Sequence, residues 1–119
     1  MISETEAAMD GRLLVEQLGD DPEMLRDLIR LVGETNAECL DAIRSAYAAA
    51  DAASLARAAH KLKGSLFAVT ARPAGTAAAN VEAVARSGEL AAAPAAIDAL
   101  ERELGRLEPA LAAFLADAT

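Results

Sequence analysis

The chain has 119 residues and a net charge of −8, and it contains no block of Lys or Arg. Because basic groups supply most of the affinity for phosphate backbones and anionic lipids, this charge argues against nucleic acid or a membrane surface as a partner. The single cysteine excludes an internal disulfide and fits a reducing compartment. Met1 to Ala8 lacks the pattern of a targeting leader, and no stretch reaches the roughly 18 apolar residues of a membrane span. We therefore expect one cytoplasmic domain spanning residues 1–119, and Met1 favours a free-standing module.

Apolar residues recur at helical spacing along the chain, and the residues between them mark helix starts and stops. Asp10 and Asp51 are expected N-caps, and Pro22 behind Asp21 is a strong start signal. Gly88 is expected to cap the C-terminal end of a helix. These signals predict five helices and no strand, at about 10–18, 22–50, 52–69, 73–87 and 90–117.

The composition favours helices that pack closely. Alanine, the strongest helix former, inflates the 54 % apolar fraction, and the aromatic residues are only one Tyr and two Phe. Short connections force neighbouring helices to run antiparallel. We therefore expect an all-α protein, an antiparallel up-down-up-down four-helix bundle with a short additional N-terminal helix, that acts as a monomer.

The last predicted helix carries Pro109 in its interior. Proline removes the hydrogen bond to the carbonyl of Gly105 and clashes with the backbone there, which predicts a kink or a break near 105–109. A coiled coil is the competing interpretation of this segment. It would cover about three heptads and lacks a clear charge pattern at the flanking positions, so we assign the helix to the bundle.

His60 is the only histidine, and it falls in the third predicted helix. At about 100° per residue, the apolar residues of this helix gather on one side and His60 points to the other. Arg57, Gly64 and Phe67 share the outward side. An imidazole in this position can meet a partner molecule.

The residues around this histidine resemble the histidine-containing phosphotransfer (HPt) domain family. The family pattern Ala-His-x-Leu-Lys-Gly-Ser is matched at every fixed position from Ala59 to Ser65. The similarity extends to the entry of the long helix, Leu18 to Leu25, and to the region of the fourth helix around Arg86-Ser87-Gly88. It covers about Leu13 to Phe114.

The resemblance implies a relay module of two-component signalling. His60 would accept a phosphoryl group from the aspartyl phosphate of a receiver domain and pass it to another receiver. The partners would be receiver domains of a response regulator, a hybrid histidine kinase or both. The chain would be a phosphoryl carrier and not an enzyme, without its own kinase or ATP-binding site.

The residue types fit this chemistry. Neutral imidazole is nucleophilic near its ordinary pKa of about 6.5. Lys63, at i+3 from the histidine, can stabilise the phosphoryl oxygens. Gly64 provides clearance for a bulky partner, and Arg57, Lys61 and Phe67 are candidate partner contacts. No acidic cluster accompanies the histidine, so we expect no metal site and no cofactor in this chain, and we expect Mg²⁺ to be held by the receiver.

Three other functions would each need particular residues or domains. A metal enzyme needs several converging His and carboxylate ligands, which one histidine cannot provide. The dimerisation helices of a sensor kinase carry an acidic residue after the histidine and are followed by an ATP-binding domain, and this chain has Lys61 there. A non-transferring adaptor that binds a receiver or kinase through the His60 face stays open as the alternative.

Three further residues are expected to have structural roles and no part in the chemistry. Cys39 falls on the apolar stripe of its helix and is expected to be a buried packing thiol. Asn36 lies on the same stripe and would need a buried hydrogen-bond partner. Glu82 is expected to be solvated.

Overall fold

The computed structural model describes residues 6–118, which contain five α-helices, one short 3₁₀-helix and no strand. The sequence predicts no targeting leader in the segment from Met1 to Ala8, and residues 1–5 of that segment lie outside the described part. The all-α prediction is confirmed. In chain order the helices are α1 (Gly11–Leu18), α2 (Pro22–Ala48), α3 (Ala52–Ala68), α4 (Arg72–Ser87), the 3₁₀-helix Leu90–Ala92 and α5 (Ala93–Ala118).

The helix starts follow the local signals in the sequence. The carboxylates of Asp10, Asp21 and Asp51 accept hydrogen bonds from backbone N–H groups in the first turns of α1, α2 and α3. These bonds satisfy donors that a helix N-terminus otherwise leaves free. Gly88 ends α4 with a positive φ of 79°, which glycine adopts without strain. The predicted caps are therefore confirmed.

The four long helices pack in a closed ring. α2 contacts α3, α3 contacts α4, α4 contacts α5, and α5 returns to α2. α1 adds Leu14, which is fully buried, to the same core. The antiparallel up-down order of the ring stays a prediction from the short connections. None of the helices in residues 6–118 combines the length and apolar character needed to cross a membrane.

The last helix runs through Pro109, since α5 is helical from Ala93 to Ala118, so of the predicted kink or break the break does not occur. Leu107 and Leu111 are buried on either side of the proline, so packing holds both halves of the helix in place. Gly105, whose carbonyl loses its hydrogen bond, lies exposed and can be hydrated instead. A kink at this position stays a prediction.

Two residues on α2 show how well the apolar stripe predicts burial. Cys39 is buried as expected, and burial raises the pKa of its thiol, as suits an inert packing residue. Asn36 is only half-buried, and its Oδ1 atom is buried without a hydrogen-bond partner among the described residues. The partner that the sequence called for is therefore not found there.

Candidate functional site

His60 lies near the middle of α3 on the face that turns away from the core. Its side chain is 63 % exposed, whereas Leu55, Ala59, Leu62 and Leu66 on the opposite face are buried completely. This is the outward placement that the helical periodicity predicts. The α3 helix therefore places the imidazole at a surface that another molecule can reach.

A carboxylate from the neighbouring helix α4 contacts the imidazole. Glu82 Oε2 lies 3.0 Å from Nδ1 of His60, and Oε1 lies 2.8 Å from Nζ of Lys63. Arg86, one turn further along α4, places Nε at 3.0 Å and a terminal guanidinium nitrogen at 2.7 Å from the same Oε2 atom. One carboxylate thus joins three side chains from two helices.

Glu82 is the only charged residue found buried in the described part of the chain, with a side chain 9 % exposed. Hydrogen bonds from Lys63 first, and then from Arg86 and His60, hold the pKa of Glu82 at about 2, although burial acts in the opposite direction. A buried charge is tolerated when it is paired and hydrogen-bonded in this way. The Glu82 carboxylate is therefore ionised at neutral pH.

This ionised carboxylate fixes the tautomer of the neutral imidazole. A carboxylate can only accept a hydrogen bond, so Nδ1 of His60 must carry the proton that it donates to Glu82. The other ring nitrogen, Nε2, then keeps its lone pair. No hydrogen bond reaches Nε2 from any residue between 6 and 118. In the neutral ring the site therefore presents Nε2 with a free lone pair, on a side chain that is mostly exposed.

The predicted cations occupy different positions around the histidine. Lys63 is 29 % exposed, and its ammonium group is held by Glu82 beside the imidazole. Arg57 instead extends toward the start of α3, where it donates a 2.9 Å hydrogen bond to Ser54 Oγ. Lys61 is exposed. The structure therefore brings Lys63 to His60 through Glu82 and directs Arg57 away from the imidazole.

Gly64 and Phe67 differ in how much of them a partner could reach. A Cβ atom added to Gly64 would meet no atom within 4 Å, so the surface next to the imidazole is open. Phe67 is 44 % exposed, and its ring lies against Gly75 of α4, where an added Cβ would come within 2.6 Å of Cε1. One face of Phe67 is thus packed while the rest stays accessible.

The expectation that Glu82 is solvated is wrong. It lies on α4 beside the buried Val81, and Ala78 and Ala85 are also buried on this helix. Contacts with Lys63 and Arg86 replace the water that this carboxylate loses. Two signals in the sequence could have indicated it: the i, i+4 spacing of Glu82 and Arg86, and the small residues that bring α4 close to α3.

The described residues hold no group of three or more His, Cys, Asp and Glu side chains placed to bind a metal ion. The site instead consists of one imidazole, one carboxylate and the cations bound to it. Its geometry can fix a histidine tautomer and stabilise charge on the ring, but a nucleophile of this kind needs an activated group brought to it.

A comparison with protein families gives one match. The model described as "Hpt domain" matches residues 27–110, which include His60, Lys63 and Glu82. The search of curated proteins and the search of solved structures gave no match.

Proposed function

The chain belongs to the Hpt domain family, and from this premise we propose that His60 accepts a phosphoryl group from a receiver-domain aspartyl phosphate and passes it to another receiver. Domains of this family are phosphocarrier modules, rather than kinases, in phosphorelay signalling, and they interact with receiver domains of response regulators or kinases. The resemblance inferred from the motif around His60 is thereby confirmed.

The contact between His60 Nδ1 and Glu82 is the observation that carries the proposal. The lone pair of Nε2 attacks phosphorus, the bond from phosphorus to the aspartyl oxygen breaks, and the aspartate leaves with the electron pair. Because Nε2 carries no proton, none has to be removed from it. The ring becomes positively charged while Nδ1 keeps its proton, and the adjacent Glu82 carboxylate stabilises that charge. The reverse sequence hands the group to the next aspartate.

The other candidate residues support this exchange by contacting the phosphoryl group or the receiver domain. Lys63, held within 2.8 Å of Glu82, can also stabilise the phosphoryl oxygens as they pass. The open surface at Gly64 lets a receiver approach the imidazole closely, and Lys61 and the exposed part of Phe67 offer further contacts. The guanidinium of Arg57 is hydrogen-bonded to Ser54 on the side away from the imidazole, so we assign Arg57 to partner binding alone.

We propose that the receiver supplies the Mg²⁺ that phosphoryl transfer of this kind uses. Glu82 is the only described carboxylate in contact with His60, and it is already bound by Lys63 and Arg86. A single carboxylate paired in this way is a poor ligand for Mg²⁺, which prefers several oxygen ligands in octahedral geometry. We further propose that the domain acts as a cytoplasmic monomer, in keeping with its single, buried cysteine.

Incubation with a panel of receiver domains, each phosphorylated on aspartate by acetyl phosphate with Mg²⁺, tests the proposal. We expect an acid-labile, alkali-stable label on the protein and no label on the His60→Gln variant. The free energy of unfolding of the variant should lie within about 0.5 kcal/mol of that of the unaltered protein, because the side chain at this position is mostly exposed and the glutamine amide can still donate to Glu82. Stable binding of a receiver without label would identify a non-transferring adaptor instead.

A further inference from the structure

A surface groove of about 510 Å³ lies between α3 and α4, next to the candidate site. Arg57 and Arg86 line it, one helical turn from His60 and from Glu82 respectively. The remaining lining residues are small, namely Ala52, Ala53, Ala56, Ala85 and Gly88. The groove therefore combines two guanidinium groups with an apolar lining that leaves room for an incoming side chain.

The positive charge of Arg57 has no direct counterion. Its guanidinium donates to the hydroxyl of Ser54, and that hydroxyl donates to Asp51 at 2.7 Å. Within residues 6–118, no carboxylate lies at ion-pair distance from Arg57. The hydroxyl thus orients the guanidinium and keeps Asp51 out of direct contact with it, and the remaining guanidinium donors are free to bind a planar anion.

The residues that line the groove carry two positive charges, from Arg57 and Arg86, and no negative one, whereas the whole chain carries −8. Glu82 pairs with Arg86, and Asp51 reaches Arg57 only through the hydroxyl of Ser54. Arg57 therefore gives the groove a local positive charge that attracts an acidic segment, while the acidic remainder of the surface repels it.

We propose that this groove binds a carboxylate-bearing segment of the same receiver domain that exchanges its phosphoryl group with His60, and that Arg57 is a specificity-determining residue for that partner. The inference rests on the proposed function. Arg57 forms two parallel hydrogen bonds with a carboxylate, a geometry that a guanidinium favours. The methyl groups of the lining favour a protein segment over a free anion, because a free anion would leave them in water.

Two variants and a matched control test the groove. Arg57→Glu reverses the charge, Ala53→Leu fills the groove from an exposed position, and Arg102→Glu makes the same change of charge on α5, the helix diagonal to α3. For each, we would divide the rate of transfer from the fastest receiver of the panel by the rate of labelling with phosphoramidate. Phosphoramidate transfers its phosphoryl group to Nε2 and releases ammonia, so it needs no docking segment.

We expect this ratio to fall about tenfold for Arg57→Glu and to fall also for Ala53→Leu, and to change less than about twofold for Arg102→Glu. An equal fall in the ratio for Arg57→Glu and Arg102→Glu would overturn the proposed role of the groove while leaving the proposed function in place. If the unaltered protein takes label from phosphoramidate but from no receiver, the relay function itself fails and the groove fails with it.

Discussion

Glu82 determines which nitrogen of His60 can react. Because its carboxylate is ionised and hydrogen-bonded to Nδ1, the reactive lone pair is confined to Nε2. In a free imidazole the proton exchanges between both nitrogens. The contact therefore holds the ring in one tautomer before any partner arrives, so the proposed transfer would need no reorganisation of the ring.

Replacing Glu82 by Met should remove the preference of the His60 ring for protonation at Nδ1. We expect ¹⁵N NMR of His60 to show protonation at Nδ1 in the unaltered protein and a mixture of tautomers in Glu82→Met, with labelling slowed about tenfold or more. Glu82→Gln is the matched control, since its amide oxygen still accepts from Nδ1. An unchanged tautomer in the Met variant would contradict the role assigned to this contact.

The lowered pKa of Glu82 also predicts how stability depends on pH. Its pKa is about 2 in the folded protein, whereas an unperturbed glutamate has a pKa of 4.5, so the unfolded chain binds the proton more readily. The stabilisation is complete above about pH 5 and is lost as the pH falls toward 2. Asp51, whose pKa is lowered by hydrogen bonds from Ser54, acts in the same direction.

Urea unfolding of the unaltered protein and of Glu82→Gln between pH 7 and pH 2 measures this contribution. We expect the variant to be less stable at pH 7, because Lys63 and Arg86 lose their counterion, and the two curves to converge in acid. A constant difference across the whole pH range would mean that the carboxylate charge contributes nothing.

The sequence predicted the exposed position of His60 but not its contact with Glu82, for a physical reason. The outward direction of His60 follows from the periodicity of one helix, which the sequence contains in full. The burial of Glu82 depends instead on how closely α4 approaches α3 and on cations supplied by both helices. Distances between helices are set by packing, which a pattern along one helix does not specify.

The close approach of α3 and α4 depends on a glycine. The ring of Phe67 occupies the space where Gly75 would carry a Cβ. Phe67 stands two turns from His60 on the same helix, so this contact helps to fix the surface of α3 beyond the histidine. Gly75 thus acts through the position of its neighbour and not through its own flexibility.

Gly75→Ala should lower the free energy of unfolding by about 1–3 kcal/mol, because overpacking outweighs the gain in helix propensity of about 1 kcal/mol. Gly33→Ala is the control, since a Cβ there meets nothing within 4 Å and should stabilise α2. In a Phe67→Ala background the penalty at Gly75 should disappear, as a double-mutant cycle measures. A penalty that persists there would show that the ring is not its cause.

Helix limits were predictable where a local residue sets them and less so where packing does. Asp10, Asp21 and Asp51 cap their own helices, so the starts of the first three helices lie within about a residue of their predicted positions. Pro109 carries an equally local signal, yet no break occurs, because burial of the leucines on either side holds α5 together. A local residue can favour the end of a helix, but tertiary contacts determine whether the helix ends there.

The segment before α1 ties distant parts of the molecule together. Asp10 and Thr70 exchange hydrogen bonds across the turn between α3 and α4, where Thr70 has a positive φ of 57°. Glu6 pairs with Arg72 of α4, and its carbonyl accepts from Arg106 of α5. Contacts between residues so far apart in the chain leave no periodic signal, so the sequence did not predict them.

Met9 anchors this segment and is 8 % exposed in the core. Met9→Ala should lower the free energy of unfolding by about 2 kcal/mol and speed hydrogen exchange in the turn around Thr70. Leu31→Ala, at a position 58 % exposed on α2, should change stability by less than about 0.5 kcal/mol. If exchange around Thr70 were equally slow in both variants, the segment would not restrain the turn.

The hydrogen bond from Nδ1 of His60 to Glu82 has a consequence for detecting the modified protein. Phosphohistidine exists as two positional isomers, and an occupied Nδ1 allows only the τ isomer, in which phosphorus is bonded to Nε2. Antibodies raised against stable τ-isomer analogues should therefore recognise the modified protein in a blot, and antibodies against the π isomer should not.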